Sequence, residues 1–497
     1  MCLESRMHGD SQMDPPSQLP DTLRQLRSLV DSVYPLTVPI NPRFPTHTRL
    51  GTIEVFPDTM TPAAWSSTGE GLSREALHSA SLITAIWLAC FSRSSLKDRT
   101  AATPLQSSAL GLADAHQTAH SCGTGDSIMK RRYKIAGGLL ILLAILIGSG
   151  ALYVSHDGGC RTPPALAANA PRMKAIAYYC YGGPEVLKYA DVQRPVIAAD
   201  QVLVKVHSAS VNPLDFHVMR GLPYLLRMQA GAGAPEDPRM GTDFSGTIEA
   251  VGTDVHRFKI GQEVFGGADG AFGEYVVVAQ NKAIALKPAD IPFEQFAALP
   301  IAAVTALQAV RDKGKIQRGQ KVLVNGASGG VGMFAVQLAK FYGADVTGVS
   351  STRNLALVRS IGADSVIDYT HEDFTQSARK YDLIIDTVGN HTLSQLRAVL
   401  TAKGVAVIVG GPNTGKWIGA LDAVAKAAVY SPFVSQNFSF MLAHLNQDDL
   451  AFLGGLVQSG KLLAVVDRHY PLAEVGAAIA YVEAGHARGK VIIDVSQ

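Results

Sequence analysis

Lys321 to Tyr342 reads KVLVNGASGGVGMFAVQLAKFY: a short apolar run, a glycine-rich turn, then apolar residues at a different period. Lys321 to Asn325 stops at Gly326, and Val331, Phe334, Ala335, Leu338 and Phe341 recur at helical spacing, which predicts a strand turning into a helix. Ala327, Gly329 and Gly332 occupy the three positions of a dinucleotide fingerprint, with alanine at the first. A turn of this kind, comprising Ala327, Ser328, Gly329, Gly330, Val331 and Gly332, lets backbone approach a pyrophosphate. Its charge then meets the free N–H groups and positive dipole end of the helix. Taken alone, the triplet also fits an ordinary tight strand-to-helix turn.

The following residues keep the same alternation. Asp345 to Ser350, Ser365 to Tyr369, Tyr381 to Thr387 and Val405 to Val409 read as strands. Thr352 to Ile361 and His391 to Leu400 read as helices. Continuous apolar strands buried on both faces are the mark of a doubly wound parallel sheet, so an α/β Rossmann-type domain is expected.

The chain has 497 residues and a formal net charge of +2, enough to bury more than one core and too neutral to favour nucleic acid. Its five cysteines, Cys2, Cys90, Cys122, Cys160 and Cys180, contain no CxxC pair, so neither a zinc lobe nor a disulfide framework is expected. Residues 1–128 lack sustained periodicity and read as disorder or as an upstream extension of a chain starting at Met129. Ile135 to Val154 carries no charge over a length that spans about 30 Å as a helix, which predicts one transmembrane anchor within 129–155. A cleavable signal peptide is the competing reading, but its A-x-A-like site, Ala165-Leu166-Ala167, lies far beyond the apolar core. Lys130, Arg131, Arg132 and Lys134 outnumber Arg161, Arg172 and Lys174, so the positive-inside rule puts the rest of the chain outside. A cytosolic cofactor supply argues the other way, and the side stays open. Residues 156–171, rich in Pro, Gly and Ala, read as an extended linker.

From Met173 the text turns to short strands bounded by glycine or proline, a small β domain. Within it and beyond stand YGGPEVL (181–187), SVNPLDFHVMRG (210–221), GTDFSGTIEAVG (241–252), FKIGQEVFG (258–266), ALPIAAVTAL (298–307), NGASGGVG (325–332), IGADSVIDY (361–369) and GHARGKVII (485–492). In this order they resemble the zinc-independent quinone oxidoreductases of the medium-chain dehydrogenase/reductase superfamily. The resemblance begins at about residue 172. It implies a GroES-like catalytic domain at 172–299, an inserted Rossmann NADP-binding domain at 300–435 and a return to the catalytic domain at 436–497. Where zinc-dependent relatives carry a histidine, a glutamate and a cysteine, this chain has Thr242, Asp243 and, nearby, Asn212, so no metal is expected.

Without a Lewis acid the expected chemistry is hydride transfer to a conjugated acceptor, a quinone or an α,β-unsaturated carbonyl, which spreads the new charge itself. The resemblance implies that Asn212 and Asp215 line the cleft near the nicotinamide, that Thr305 meets the ring side and that Tyr369 lies over the adenosine pocket. It also implies cofactor roles for Gly410 and Lys490. Asn212 and Tyr224 are the candidate catalytic residues, although GLPY is one residue longer than the related spacing. A turn asparagine and a half-buried loop tyrosine are the plainer readings of the pair. The second strand ends Gly348-Val349-Ser350-Ser351-Thr352-Arg353 without the acid that would bind a ribose 2′-OH, so Ser350, Ser351 and Arg353 point to NADPH. The plainer reading makes Ser351 a helix cap and Arg353 a solvated side chain. A membrane-tethered NADPH-binding sensor or interaction protein with little turnover is the alternative function, and a homodimer is left open.

Overall fold

The computed structural model describes residues 124–495 except 412–414, 418, 420–425, 428–429 and 486. The expectation for residues 1–123 falls outside the described residues. A helix α1, Thr124–Ser155, opens the described chain, and its 19 residues Gly137–Ser155 are apolar enough to cross a membrane and make no buried contact.

Two sheets carry the remainder. In the first, β3 (Gln201–Val211), β4 (Asp243–Val251), β5 (Glu263–Gly267), β6 (Tyr275–Ala279) and β7 (Ile284–Leu286) pair antiparallel, after a separate ribbon of β1 (Arg172–Ala177) and β2 (Lys188–Gln193). Val202, Val204 and Val206 of β3 are almost wholly buried. They pack with Phe244, Phe272, Ile284 and Ile493 into one core, so the alternation in the sequence is a core face of this sheet. In the second, β8 (Lys321–Asn325), β9 (Asp345–Ser350), β10 (Ser365–Asp368), β11 (Tyr381–Asp386), β12 (Leu400–Ile408) and β13 (Asn437–Phe440) run parallel in the order β10-β9-β8-β11-β12-β13. The order reverses between β8 and β11, the switch point at which doubly wound sheets bind their ligands.

β13 is the sixth strand of the parallel sheet, so the return expected at residue 436 comes later. It is made by β14 (Val466–Pro471) and β15 (Lys490–Asp494), and β15 pairs antiparallel with β3. The last strand thus closes against an early one and carries Lys490 to the seam between the sheets. A second difference is covalent: Cys160 and Cys180 form a disulfide, with Cα atoms 4.3 Å apart. Cysteine spacing gave no sign of it, since the two thiols are neighbours only through the fold.

Candidate active site at the seam of the two sheets

The turn after β8 is built by close backbone approach. Gly326 takes φ +83°, a left-handed conformation, so the tight bend falls one residue before the alanine of the fingerprint. Ala327 is buried, and its methyl sits where Gly348 of β9 leaves room; a Cβ on Gly348 would come within 3.0 Å of it. Gly332, the first residue of helix α2 (Gly332–Phe341), lies so near the carbonyl of Gly326 that an added Cβ would stand 2.0 Å from that oxygen. By contrast, a Cβ on Gly329 would meet only Gly326 O, at 3.4 Å, and one on Gly330 would meet the Lys490 side chain at 3.3 Å and Gly489 O. The turn is therefore tight against its own sheet and open on its outer side, which fits a pyrophosphate on the start of the helix.

The end of β9 lies beside the turn. Asn354 Nδ2 donates to Ser328 Oγ at 3.0 Å and to Ser351 Oγ at 3.3 Å, tying the turn to the loop that carries Ser350, Ser351 and Arg353. Tyr369 is exposed, and its N–H bonds Ser350 O, which brings it to the same edge. The sequence reading missed Asp368, whose carboxylate accepts from Thr352 Oγ1 at 2.5 Å. Gly410 follows β12, and its N–H bonds Asp386 O at 3.3 Å.

Across the seam lies a buried polar cluster. Asn212 follows β3 and precedes Pro213, and its backbone N–H donates to Asp215 Oδ2 at 2.7 Å in the first turn of Pro213–Arg220. Its Nδ2 donates to Asp243 Oδ2 at 2.8 Å, and its Oδ1 accepts from Lys490 Nζ at 2.6 Å. Ser210 Oγ and the N–H of Ile301 complete the shell of Asp243, the latter from the helix Pro300–Leu307 that holds the buried Thr305. Lys490 also bonds Val211 O and lies 3.7 Å from Asp243. Burial holds the Lys490 ammonium below its usual range, against the pull of Asp243 and Asp215. It lifts both carboxyls, that of Asp215 to about 7 despite the hydrogen bond from Asn212. Asn212, Lys490 and the turn are thus brought together. No motif marked Ser210 and Asp243 as their partners, because the contacts join β3, β4 and β15.

Tyr224 stands apart from that cluster. Its N–H donates to Lys416 O at 2.6 Å, and its ring meets Trp417 edge-on at 5.1 Å and the Arg227 guanidinium at 4.8 Å. A cavity of about 820 Å³ lies elsewhere, between residues 160–166 and the β1–β2 ribbon, and no residue of the glycine turn lines it.

A Rossmann-type parallel sheet inserted into a GroES-like β domain that the chain's last strand closes defines a two-domain nicotinamide-dependent oxidoreductase. Residues 198–288 match the alcohol dehydrogenase GroES-like domain and residues 361–493 the zinc-binding dehydrogenase family. The chain is 34% identical to the mitochondrial NAD(P)H oxidoreductase RTN4IP1 of Mus musculus, an alignment covering 66% of this chain and 91% of the relative. It is 36% identical to the chloroplastic NADPH-dependent alkenal/one oxidoreductase of Arabidopsis thaliana, over 66% and 81%. Among solved structures the quinone oxidoreductase from Coxiella burnetii superposes with TM-score 0.59 at 33% identity, over 66% of this chain and all of that one. The chain belongs to the medium-chain dehydrogenase/reductase superfamily, and it is an NAD(P)H-dependent oxidoreductase of the quinone and alkenal reductase type.

Proposed function

We propose that this protein is a zinc-independent reductase that uses NADPH to reduce a quinone or an α,β-unsaturated carbonyl, while held to a membrane by α1. The observation that carries the reading is the cluster of Asn212, Asp243 and Lys490. Where the resemblance puts metal ligands in zinc-dependent relatives, the chain has an amide and a carboxylate committed to a buried ammonium. Among the described residues no group of three or more His, Cys, Asp or Glu side chains is arranged to hold a metal. The coenzyme, when bound, supplies a hydride. The acceptor gains that hydride at carbon or oxygen and takes one proton from water or from the Tyr224 hydroxyl, giving a saturated carbonyl or a quinol.

The residues do the positioning. Lys490 directs its ammonium to Val211 O, Asn212 Oδ1 and Asp243, so it acts by fixing the Asn212 amide beside the nicotinamide position. Ser328, Gly329, Gly330 and Gly332 with the helix start hold the pyrophosphate, and Thr305, Gly410 and Tyr369 complete the groove. Ser350, Ser351 and Arg353 favour a 2′-phosphate. The Asp368 carboxylate beside Thr352 opposes it, so the preference rests on Arg353. One charge-assisted contact is worth about 1.5–3 kcal/mol, so Arg353→Ala should weaken NADPH about ten- to a hundredfold and spare NADH. Equal kcat/KM for the two coenzymes in the unaltered protein would refute the preference.

The test of the reaction is NADPH oxidation with quinones, enones, simple ketones and alcohols side by side, with Tyr224→Phe as a check on the proton donor. Preference for simple ketones or alcohols would sink the reading. The buried Asp215 adds a pH signature. Because its carboxyl titrates near 7 folded against 3.8 in free chain, its stabilising contribution is complete below 3.8 and lost as pH rises past about 7. Urea unfolding should therefore show stability falling across that window, and Asp215→Asn should flatten the fall. An unchanged slope in the variant would remove Asp215 as its source.

A further inference from the structure

The linker read from sequence as a spacer is docked over its first residues. Ser155 ends α1, and the next carbonyl, His156 O, accepts from Arg227 Nη1 at 3.4 Å. Asp157 Oδ1 takes the same nitrogen at 2.7 Å. Gly158 N–H donates to Gly233 O at 2.9 Å, Cys160 is bonded to Cys180, and Arg161 N–H donates to Tyr179 O at 2.8 Å. From the last helical residue to Asp157 is two steps of chain, at most about 7 Å.

What this strap grips is the loop after the helix Pro213–Arg220, which itself follows Asn212 directly. The Arg227 side chain is 4% exposed, donates to Gly221 O at 2.9 Å, and lies over the rings of Tyr181 at 4.4 Å and Tyr224 at 4.8 Å. Tyr224 and Pro223 in turn meet Lys416, Trp417 and Gly419, in the segment after β12, at the C-terminal edge of the parallel sheet. Ligands of such sheets enter at that edge. Met228, next to Arg227, is 58% exposed, an apolar side chain on the outer side of the loop. The loop that carries Tyr224 is therefore tied within two residues of the apolar helix, with no slack to turn away from it.

We propose that the acceptor reaches the cleft from the bilayer, and that the substrate class is a membrane-dissolved lipophilic quinone, the Arg227 loop being its entrance. This rests on the quinone or enone reading above. The quinone carbonyls gain the hydride from NADPH and one proton from water, and the quinol returns to the bilayer as NADP⁺ leaves to the aqueous side. The Asp157–Arg227 clasp positions the entrance and takes no part in the chemistry.

The experiment uses the full chain in phospholipid vesicles, with NADPH added outside, and two acceptors: a long-chain isoprenoid quinone in the bilayer and a short-chain, water-soluble quinone. Twelve Gly-Ser residues inserted between Ser155 and His156 leave every contact of the strap intact while freeing the domain from the helix; Asp157→Ala breaks the clasp itself. The insertion should lower turnover of the bilayer quinone about tenfold and keep that of the soluble quinone within about twofold, as a lengthened linker dilutes one reactant around the other. Asp157→Ala should act in the same direction. Equal loss with both acceptors would make the strap merely a stabiliser and overturn the proposal, as would bilayer turnover that neither variant changes. Turnover of the soluble quinone with none of the bilayer quinone overturns this proposal alone. Inactivity of the unaltered protein with both quinones overturns the acceptor reading beneath it.

Discussion

Of the places where backbone meets backbone through glycine, the cofactor turn and the strap differ in how far apart the partners lie along the chain. In the cofactor turn Gly332 faces the carbonyl of Gly326, six positions earlier. In the strap Gly158 bonds Gly233, seventy-five positions later. The first contact is made by residues that must be written next to one another, so it appears as a motif with period and spacing. The second is made by residues that the fold alone brings together, so Gly158 reads as one more glycine in a spacer. The contacts also differ in tightness: an added Cβ at Gly332 would stand 2.0 Å from the Gly326 oxygen, and one at Gly158 would stand 3.3 Å from Gly233 Cα.

That contrast sets the order of expected effects. Gly332→Ala should be the most damaging: forcing the helix start from the turn falls in the overpacking range of about 1–3 kcal/mol, and kcat/KM for NADPH should fall by roughly a hundredfold. Fluorescence titration with NADPH and steady-state kinetics measure it, and a variant within about threefold of the unaltered protein would break the comparison at its strong end. Gly330→Ala comes next. Its methyl faces only a flexible lysine stem and Gly489 O, so the cost should be the lost approach to phosphate, about 1 kcal/mol in NADPH binding with thermal stability unchanged. Gly158→Ala should be smallest, within about 0.5 kcal/mol in urea unfolding and without effect on NADPH. A large loss there would show that the strap is packed as tightly as the turn.

How much of this was legible follows from the same distinction. The βαβ alternation, the glycine turn and the missing acid after β9 are local patterns, and they led to the sheet and to the face proposed for the coenzyme. Lys490, Asn212 and Thr305 were reached only through resemblance, because nothing local ties a lysine near the end of the chain to an asparagine 278 positions earlier. Asp243 was noted only as a replaced ligand, and its role as the hub of the cluster needed the pairing of β3 with β4. Asp368 was missed for a similar reason: it ends β10, and only the parallel pairing with β9 sets it beside Thr352. The boundary at residue 436 failed because β13 is a four-residue strand, too short to show a period of its own.

The sulfur bridge at the start of the strap carries a consequence for cell geography. A bond between Cys160 and Cys180 endures where thiols are kept oxidised, and the cytosol is not such a place. If α1 crosses a membrane, the excess of lysine and arginine ahead of its apolar stretch points to the same, non-cytosolic side for the folded domain, by a rule that knows nothing of sulfur. An enzyme stationed there would draw on whatever reduced nicotinamide that compartment regenerates for itself. Its working rate would then be set by a neighbouring dehydrogenase as much as by its own cleft.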